Sequence, residues 1–238
     1  MLNHTFEYPT TKRNEITFGY LPSVIPHDLV PDLKGSVAQY DATTMWTLML
    51  GMDEGFVGIR RNVIDKTQLS RQVINYQMLT RQVEGVTQYA VYIRASGADA
   101  RLEGKLSIGF GGHIDADDVA STESCGSFDA TIISGNRELI EEVSLSANGA
   151  RVWLDQATAS LPLGFISDLK LEDPNWVGNT HLGVFSIVTL PDRVTDFEML
   201  EKKYSVYGWC TLEELRGLAD RLENWSKLLV QSGVPALT

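Results

Sequence analysis

One stretch of clear helical periodicity, ATIISGNRELIEEVSL, stands between β-rich runs on both sides, and that placement limits the fold more than any other feature of the chain. Upstream, QVINYQMLTR and QYAVYIRA are separated by Val83-Glu84-Gly85-Val86-Thr87, and after the loop ASGADARLEG a further strand is expected in KLSIGFGGHI. Downstream, LPLGFISDL and HLGVFSIVTL are β-rich. The chain then reaches Thr211-Leu212-Glu213-Glu214, a capping-box-like start to a helix expected to run to Val230. Strands, a central helix, more strands and a terminal helix imply a mixed sheet with helices on its faces. Because strands and helices do not strictly alternate, a doubly wound parallel sheet is disfavoured.

The remaining segments carry weaker signals. DADDVASTESCGSFD is polar and glycine-containing and reads as a long loop. Prolines at positions 9, 22, 26 and 31 rule out a long N-terminal helix, so the first thirty-five residues are expected to form an extended arm laid over a domain. MWTLMLGMDEGFVGIRRNVID reads as two short strands around Asp53-Glu54-Gly55.

A chain of 238 residues accommodates one generous domain, or one domain and a small appendage. It lacks the roughly 18 consecutive apolar residues of a spanning helix, and its N-terminus has no apolar leader core, so no membrane association is expected. Cys125 and Cys210 have no metal-ligand spacing, and this sparse usage fits a reducing, cytoplasmic compartment. A net charge of −11 opposes broad nucleic-acid binding. It leaves room for a phosphorylated small molecule held through a divalent cation and a few local arginines.

On a helical wheel of about 100° per residue, Glu138, Glu141 and Glu142 share one side, while Ile132, Ile133, Leu139, Ile140 and Val143 lie opposite, where a core is expected. Alone, such an acidic face is the ordinary solvated side of an amphipathic helix. Its context is less ordinary. The strand LSIGF runs into Gly111-Gly112-His113, and glycines at a strand exit let backbone carbonyls approach a ligand. Carboxylates and carbonyls together suit Mg²⁺ or Mn²⁺.

These residues resemble the signature of the Nudix hydrolases: a glycine, a glutamate six positions later, then after seven residues R-E-U-x-E-E-x-G-U, with U a bulky aliphatic. Arg137-Glu138-Leu139-Ile140-Glu141-Glu142 matches the core of that motif and Leu145 its last aliphatic. Counting back from Arg137 puts Asp129 in the place of the first glutamate and Glu123 in that of the first glycine, and Ser144 replaces the later glycine. RQVINYQML, ARLEGKLSIGFGGHID, HLGVFSIVTL and WCTLEEL are similar to a bacterial and phage branch of Nudix phosphoesterases.

The resemblance implies a Nudix-type α/β/α sandwich with a mixed central sheet. Residues 1–55 would form an N-terminal extension with extra strands, and residues 56–238 the Nudix domain. The implied activity is Mg²⁺- or Mn²⁺-dependent hydrolysis of a pyrophosphate bond in a nucleoside diphosphate derivative. Glu138, Glu141 and Glu142 would be metal ligands or hold the attacking water, Gly111 or Gly112 would supply a carbonyl to the metal, and Arg137 would orient the carboxylates. Asp129, Glu198 and Glu201 are further acids, and His113, Arg94, Arg101 and Lys105 are candidates for the substrate. Trp176 and His181 could meet a base or ribose, although a tryptophan is more often core. Two other activities stay open: a Nudix-fold module that senses a nucleotide-like ligand without cleaving it, and an isomerase, for which Cys125 would have to serve. Homodimers are common in the family. Ser144 is expected to alter how the helix end turns, since glycine is favoured there for its left-handed freedom, without removing a ligand.

Overall fold

A computed structural model describes residues 15–26, 36–60, 63, 70–94, 102–123, 126–154, 161–170, 173 and 176–233. In chain order these form β1 (Ile16–Tyr20), β2 (Ser36–Gln39), α1 (Ala42–Met52), β3 (Phe56–Arg60), β4 (Arg71–Val83) and β5 (Val86–Arg94). Next come β6 (Leu106–Ser107), β7 (Gly109–Phe110), α2 (Ala116–Ala120), α3 (Ser127–Glu142), β8 (Val143–Ala147), β9 (Ala150–Val152) and β10 (Gly164–Ser167). The last are β11 (His181–Thr189), β12 (Asp196–Met199), β13 (Tyr204–Thr211), α4 (Leu212–Gly217) and α5 (Asn224–Ser232).

The hairpin of β4 and β5 forms the middle of the main sheet. Its two-residue turn, Glu84-Gly85, has φ of 51° and 79°, the left-handed pair whose twist matches that of the flanking strands. The strand order is β13-β5-β4-β11-β10-β2, with β4 and β11 parallel and the other neighbours along this path antiparallel. The sheet is therefore mixed, as expected. Alternating side chains build a core on each face. On one, Val73, Phe165, Leu182 and Val184 pack with Met45, Met49 and Met52 of α1 and Ala130 of α3. On the other, Tyr76, Met78, Phe185 and Ile187 pack with Leu215 of α4 and Leu229 and Val230 of α5.

Several expectations need correction. The first part of MWTLMLGMDEGFVGIRR is helix α1, and only Phe56–Arg60 is a strand. Asp41 caps α1 by accepting from Thr44 N–H at 2.9 Å, and Met45, Met49 and Met52 form its buried stripe. A short apolar run does not distinguish helix from strand, and here the methionine spacing decided. The stretch read as a long loop contains α2, where Asp115 and Asp118 form a reciprocal capping box. The terminal helix is two: Thr211 caps α4 as expected, but α4 ends at Gly217, and Glu223 caps a separate α5.

Among the described residues before 56, two segments are strands of the main sheet. β2 pairs with β10, while β1 pairs with β3 and β4. Phe18 N–H also donates to the Ile114 carbonyl at 2.9 Å, which ties β1 to the segment after Gly111-Gly112. At the end of α1, Asp53 Oδ1 accepts from the backbone N–H of Ser127 at 3.0 Å and from its hydroxyl. Gly126, at the N-cap of α3, has no side chain to do this. Asp53→Ala is expected to lower the unfolding free energy by about 1–2 kcal/mol, read by chemical denaturation.

Candidate active site

α3 lies on β4 through small and polar groups. Its buried residues are Ser127, Ala130, Thr131, Ser134, Gly135, Leu139 and Glu142, whereas Ile140 is 57% exposed. The expected division, aliphatics on the core side and glutamates on the opposite face, is thus only half right. Leu139 and Val143 are buried, but Ile140 faces out and Glu142 faces in, at 4% exposure. Closeness explains the inversion. A Cβ on Gly135 would stand 2.0 Å from Gln77 Nε2, and Asn75 Nδ2 donates to Ser134 Oγ at 2.5 Å, so no branched side chain fits along that line.

The two glycines after β7 complete the approach. Gly111 has φ of +139°, and a Cβ there would lie 2.4 Å from the Asn75 carbonyl oxygen. A Cβ on Gly112 would lie 2.5 Å from Glu138 Oε1. Gly111 N–H donates to Glu142 Oε2 at 3.0 Å, and the Gly112 carbonyl accepts from Asn75 N–H at 2.8 Å. Glu138, Glu142 and the Gly111-Gly112 backbone therefore meet at one place.

Electrostatics there are dominated by burial and by Arg137. Burial pushes the Glu142 carboxyl up to about 8; neighbouring Glu138 and Glu201 push the same way, while Gly111 N–H and Lys203 oppose them. Burial likewise raises Glu138, against the pull of Arg137. Arg137 grips Asp118 with two parallel bonds, Nε to Oδ1 at 2.9 Å and Nη2 to Oδ2 at 2.8 Å. It also donates from Nη1 to Glu138 at 2.9 Å and to Glu141 at 3.2 Å, and from Nη2 to the His113 carbonyl at 3.1 Å. The hydrogen bonds to Asp118 are the main reason its guanidinium is held above the usual arginine range.

Asp118, buried on α2, was not singled out from the sequence. It lies six positions after Gly112, the spacing of the motif's first acid from its glycine, so counting forward from Gly112 would have found it. Counting back from Arg137 failed because 18 residues, 119–136, separate Asp118 from Arg137, where the motif has seven. Asp129 sits in the first turn of α3, roughly 12 Å along the axis from Arg137. Ser144 needs no left-handed freedom, because the helix passes directly into β8 with its C-cap, Val143, already extended.

Among the other candidates, Glu201 is brought beside Glu142: Leu200 N–H donates to the Glu142 carbonyl at 2.8 Å, and the Glu201 charge acts on the Glu142 carboxyl. Glu198 is exposed, opposite Ser144 across the β8–β12 pair. Glu141 points outward, with its side chain 55% exposed. Arg94 lies 5.4 Å from the Tyr204 ring centre and Lys203 4.9 Å, and both Tyr204 and Lys203 interact electrostatically with Glu142. Lys203 carried no sequence signal. Lys105 instead donates to the Asp220 carbonyl at 3.1 Å. The His113 and His181 rings meet edge to face at 5.6 Å, and Trp176 Nε1 donates to the Asp168 carbonyl. Arg101 and Cys125 lie outside the described residues.

Among the described residues, no three Asp, Glu, His or Cys side chains converge as a ready-made metal cluster, since Glu138 and Glu141 turn to Arg137. The donor chemistry nonetheless fits a divalent cation. Two carboxylates with raised proton affinity stand over a two-glycine cradle that a Cβ would fill, and hard oxygen donors are what Mg²⁺ and Mn²⁺ take. The folded state retains the Glu142 proton up to about 8, against an ordinary 4.5, so this stabilisation is complete below 4.5 and lost as pH rises through 8. In metal-free buffer the melting temperature is expected to fall from about pH 5 to about pH 8, and Glu142→Gln to flatten that slope. An unchanged slope in the variant would assign it to another group.

No family model matches the chain. It is 30% identical over 187 residues to protein YmaB of Bacillus subtilis (strain 168), an alignment spanning 77% of this chain and 81% of YmaB. Among solved structures it is similar to Tm1382, a candidate Nudix hydrolase, with a TM-score of 0.64 and 20% identity, covering 92% of this chain and 97% of that one. That likeness speaks to the fold.

Proposed function

The chain belongs to the family of Bacillus subtilis protein YmaB and has the Nudix fold, and from that premise we propose that it is a divalent-cation-dependent hydrolase of a pyrophosphate bond in a nucleoside diphosphate derivative. The observation that carries the proposal is the placement of Glu142, buried, and Glu138, partly buried, against Gly111-Gly112, which raises the proton affinity of both carboxyls. Structural helices do not ordinarily bury like charges one turn apart.

In this reading Glu138, Glu142 and the Gly111 carbonyl would hold Mg²⁺ or Mn²⁺. Gly112 is the weaker carbonyl candidate, since Asn75 N–H already takes its oxygen. When bound, such an ion neutralises charge on phosphoryl oxygens and makes a coordinated water more acidic. Arg137, itself fixed by Asp118, orients Glu138 and Glu141. Glu141 and Glu201 are the carboxylates best disposed to take a proton from the attacking water, one exposed on the helix rim and the other beside Glu142. Arg94 and Lys203, on the Tyr204 side of Glu142, bind the phosphates of the substrate.

Arg137 favours a second reading as well. It occupies both Glu138 and Glu141, as would suit a module that binds a nucleotide-like ligand without cleaving it. A phosphate-release screen with Mg²⁺ and Mn²⁺ over nucleoside triphosphates, dinucleoside polyphosphates, ADP-ribose and NADH separates the two. Turnover supports hydrolysis, and ligand-induced thermal stabilisation without product supports sensing. For a hydrolase, Glu142→Gln is expected to lower kcat by roughly 10²-fold or more with the fold intact. Lys203→Ala is expected to raise KM several-fold with a smaller change in kcat, measured by steady-state kinetics on the best substrate of the screen.

A further inference from the structure

Arg71 opens β4 with 5% of its surface exposed. Nη2 is fully used, donating to Ser167 Oγ at 2.9 Å and to the carbonyls of His181 at 2.6 Å and Gly178 at 3.4 Å. Nε and Nη1 are buried and meet no acceptor among the described residues. Asp168 acts on Arg71 through space only, because its carboxylate is taken by Trp225 Nε1 at 2.9 Å and Asn224 Nδ2 at 2.7 Å. One more buried donor is unsatisfied close by, Ser36 Oγ, which belongs to the register partner of Ser167, whose hydroxyl Arg71 touches.

Unmade hydrogen bonds on a neutral group could be met by water. A guanidinium shut inside the protein, with no carboxylate in contact among the described residues, has a second deficit, that of charge, and only an anion supplies both. We propose that Arg71, with Ser36, forms a second binding site, for a small oxyanion such as a phosphate or the phosphoryl group of a larger ligand. It is separate from the acidic helix: Asn75, which meets Ser134, is four residues further along β4, roughly 13 Å away. The site does not depend on the hydrolase reading.

The test is a thermal-shift titration in metal-free buffer, with inorganic phosphate in one arm and a nucleoside monophosphate in the other. The proteins are the wild type, Arg71→Met, Ser36→Ala and Glu142→Gln. The expected result is a saturable stabilisation of the wild type and of Glu142→Gln, absent from Arg71→Met, with half-saturation moved roughly 3- to 10-fold higher in Ser36→Ala. Stabilisation by phosphate identifies a free anion as sufficient, and stabilisation by the nucleotide alone assigns the site to a phosphoryl group on a larger ligand. If Arg71→Met does not fold, Ser36→Ala, which leaves every Nη2 bond in place, decides. No saturable shift in the wild type, or a shift unchanged in Ser36→Ala and in any folded Arg71→Met, overturns the proposal.

Discussion

The guanidinium of Arg137 is the joint on which the acidic site depends. Its two parallel bonds to Asp118 fasten α2 to α3, and its remaining donors hold Glu138, Glu141 and the His113 carbonyl. Two of those partners, Asp118 and the His113 segment, are fixed from elsewhere. Asp118 is in the capping box that starts α2, and the Ile114 carbonyl beside His113 accepts from β1. The orientation of Glu138 is therefore inherited from a strand near the start of the chain, through one arginine. Lysine could not replace it, since a single ammonium lacks the planar fork that holds Asp118 while leaving other donors for the glutamates.

The same geometry accounts for the unusual face that α3 presents to the sheet. Amphipathic helices ordinarily bury their largest aliphatics, which keeps the helix axis well away from the strands. α3 instead places Ser134 and Gly135 against Asn75 and Gln77, and leaves Ile140 in solvent. Removing side-chain bulk brings the helix down onto β4 and β7, so that Glu142 reaches a backbone N–H of Gly111. The approach has a local electrostatic cost, visible in the raised proton affinity of both glutamates, and a bound cation would offset it.

Much of this was legible in the sequence, for reasons that also mark where legibility ended. The R-E-L-x-E-E core and the Gly111-Gly112 pair are local, because helix period and backbone freedom are properties of neighbouring residues. The mixed sheet followed from the order of strands and helices. Asp118 was missed because 18 residues intervene before Arg137, and a fixed spacing counted from one end crosses such an insertion blindly. α1 was missed because its methionine stripe is embedded in a run apolar on every side, with Trp46 and Leu50 exposed. Lys203 reaches the site beside Glu201, which the sequence did offer as a further acid, through the pairing of β12 with β8, a contact across more than fifty residues that no local pattern encodes.

β4 shows how these demands are reconciled in one element. A central strand flanked by a parallel neighbour is normally built from aliphatic residues, being covered on both faces. Here Arg71, Gln72, Asn75, Gln77 and Thr80 are all buried. Asn75 and Gln77 belong to the contact with α3, and Arg71 holds the turn before β11. Such a polar series weakens a sheet unless its other side chains pack without fault. Val73, Met78 and Leu79 are each at most 1% exposed, and they join three different hydrophobic clusters. The strand is thus secured by apolar contacts on both faces, which lets its polar residues be placed by what they must touch.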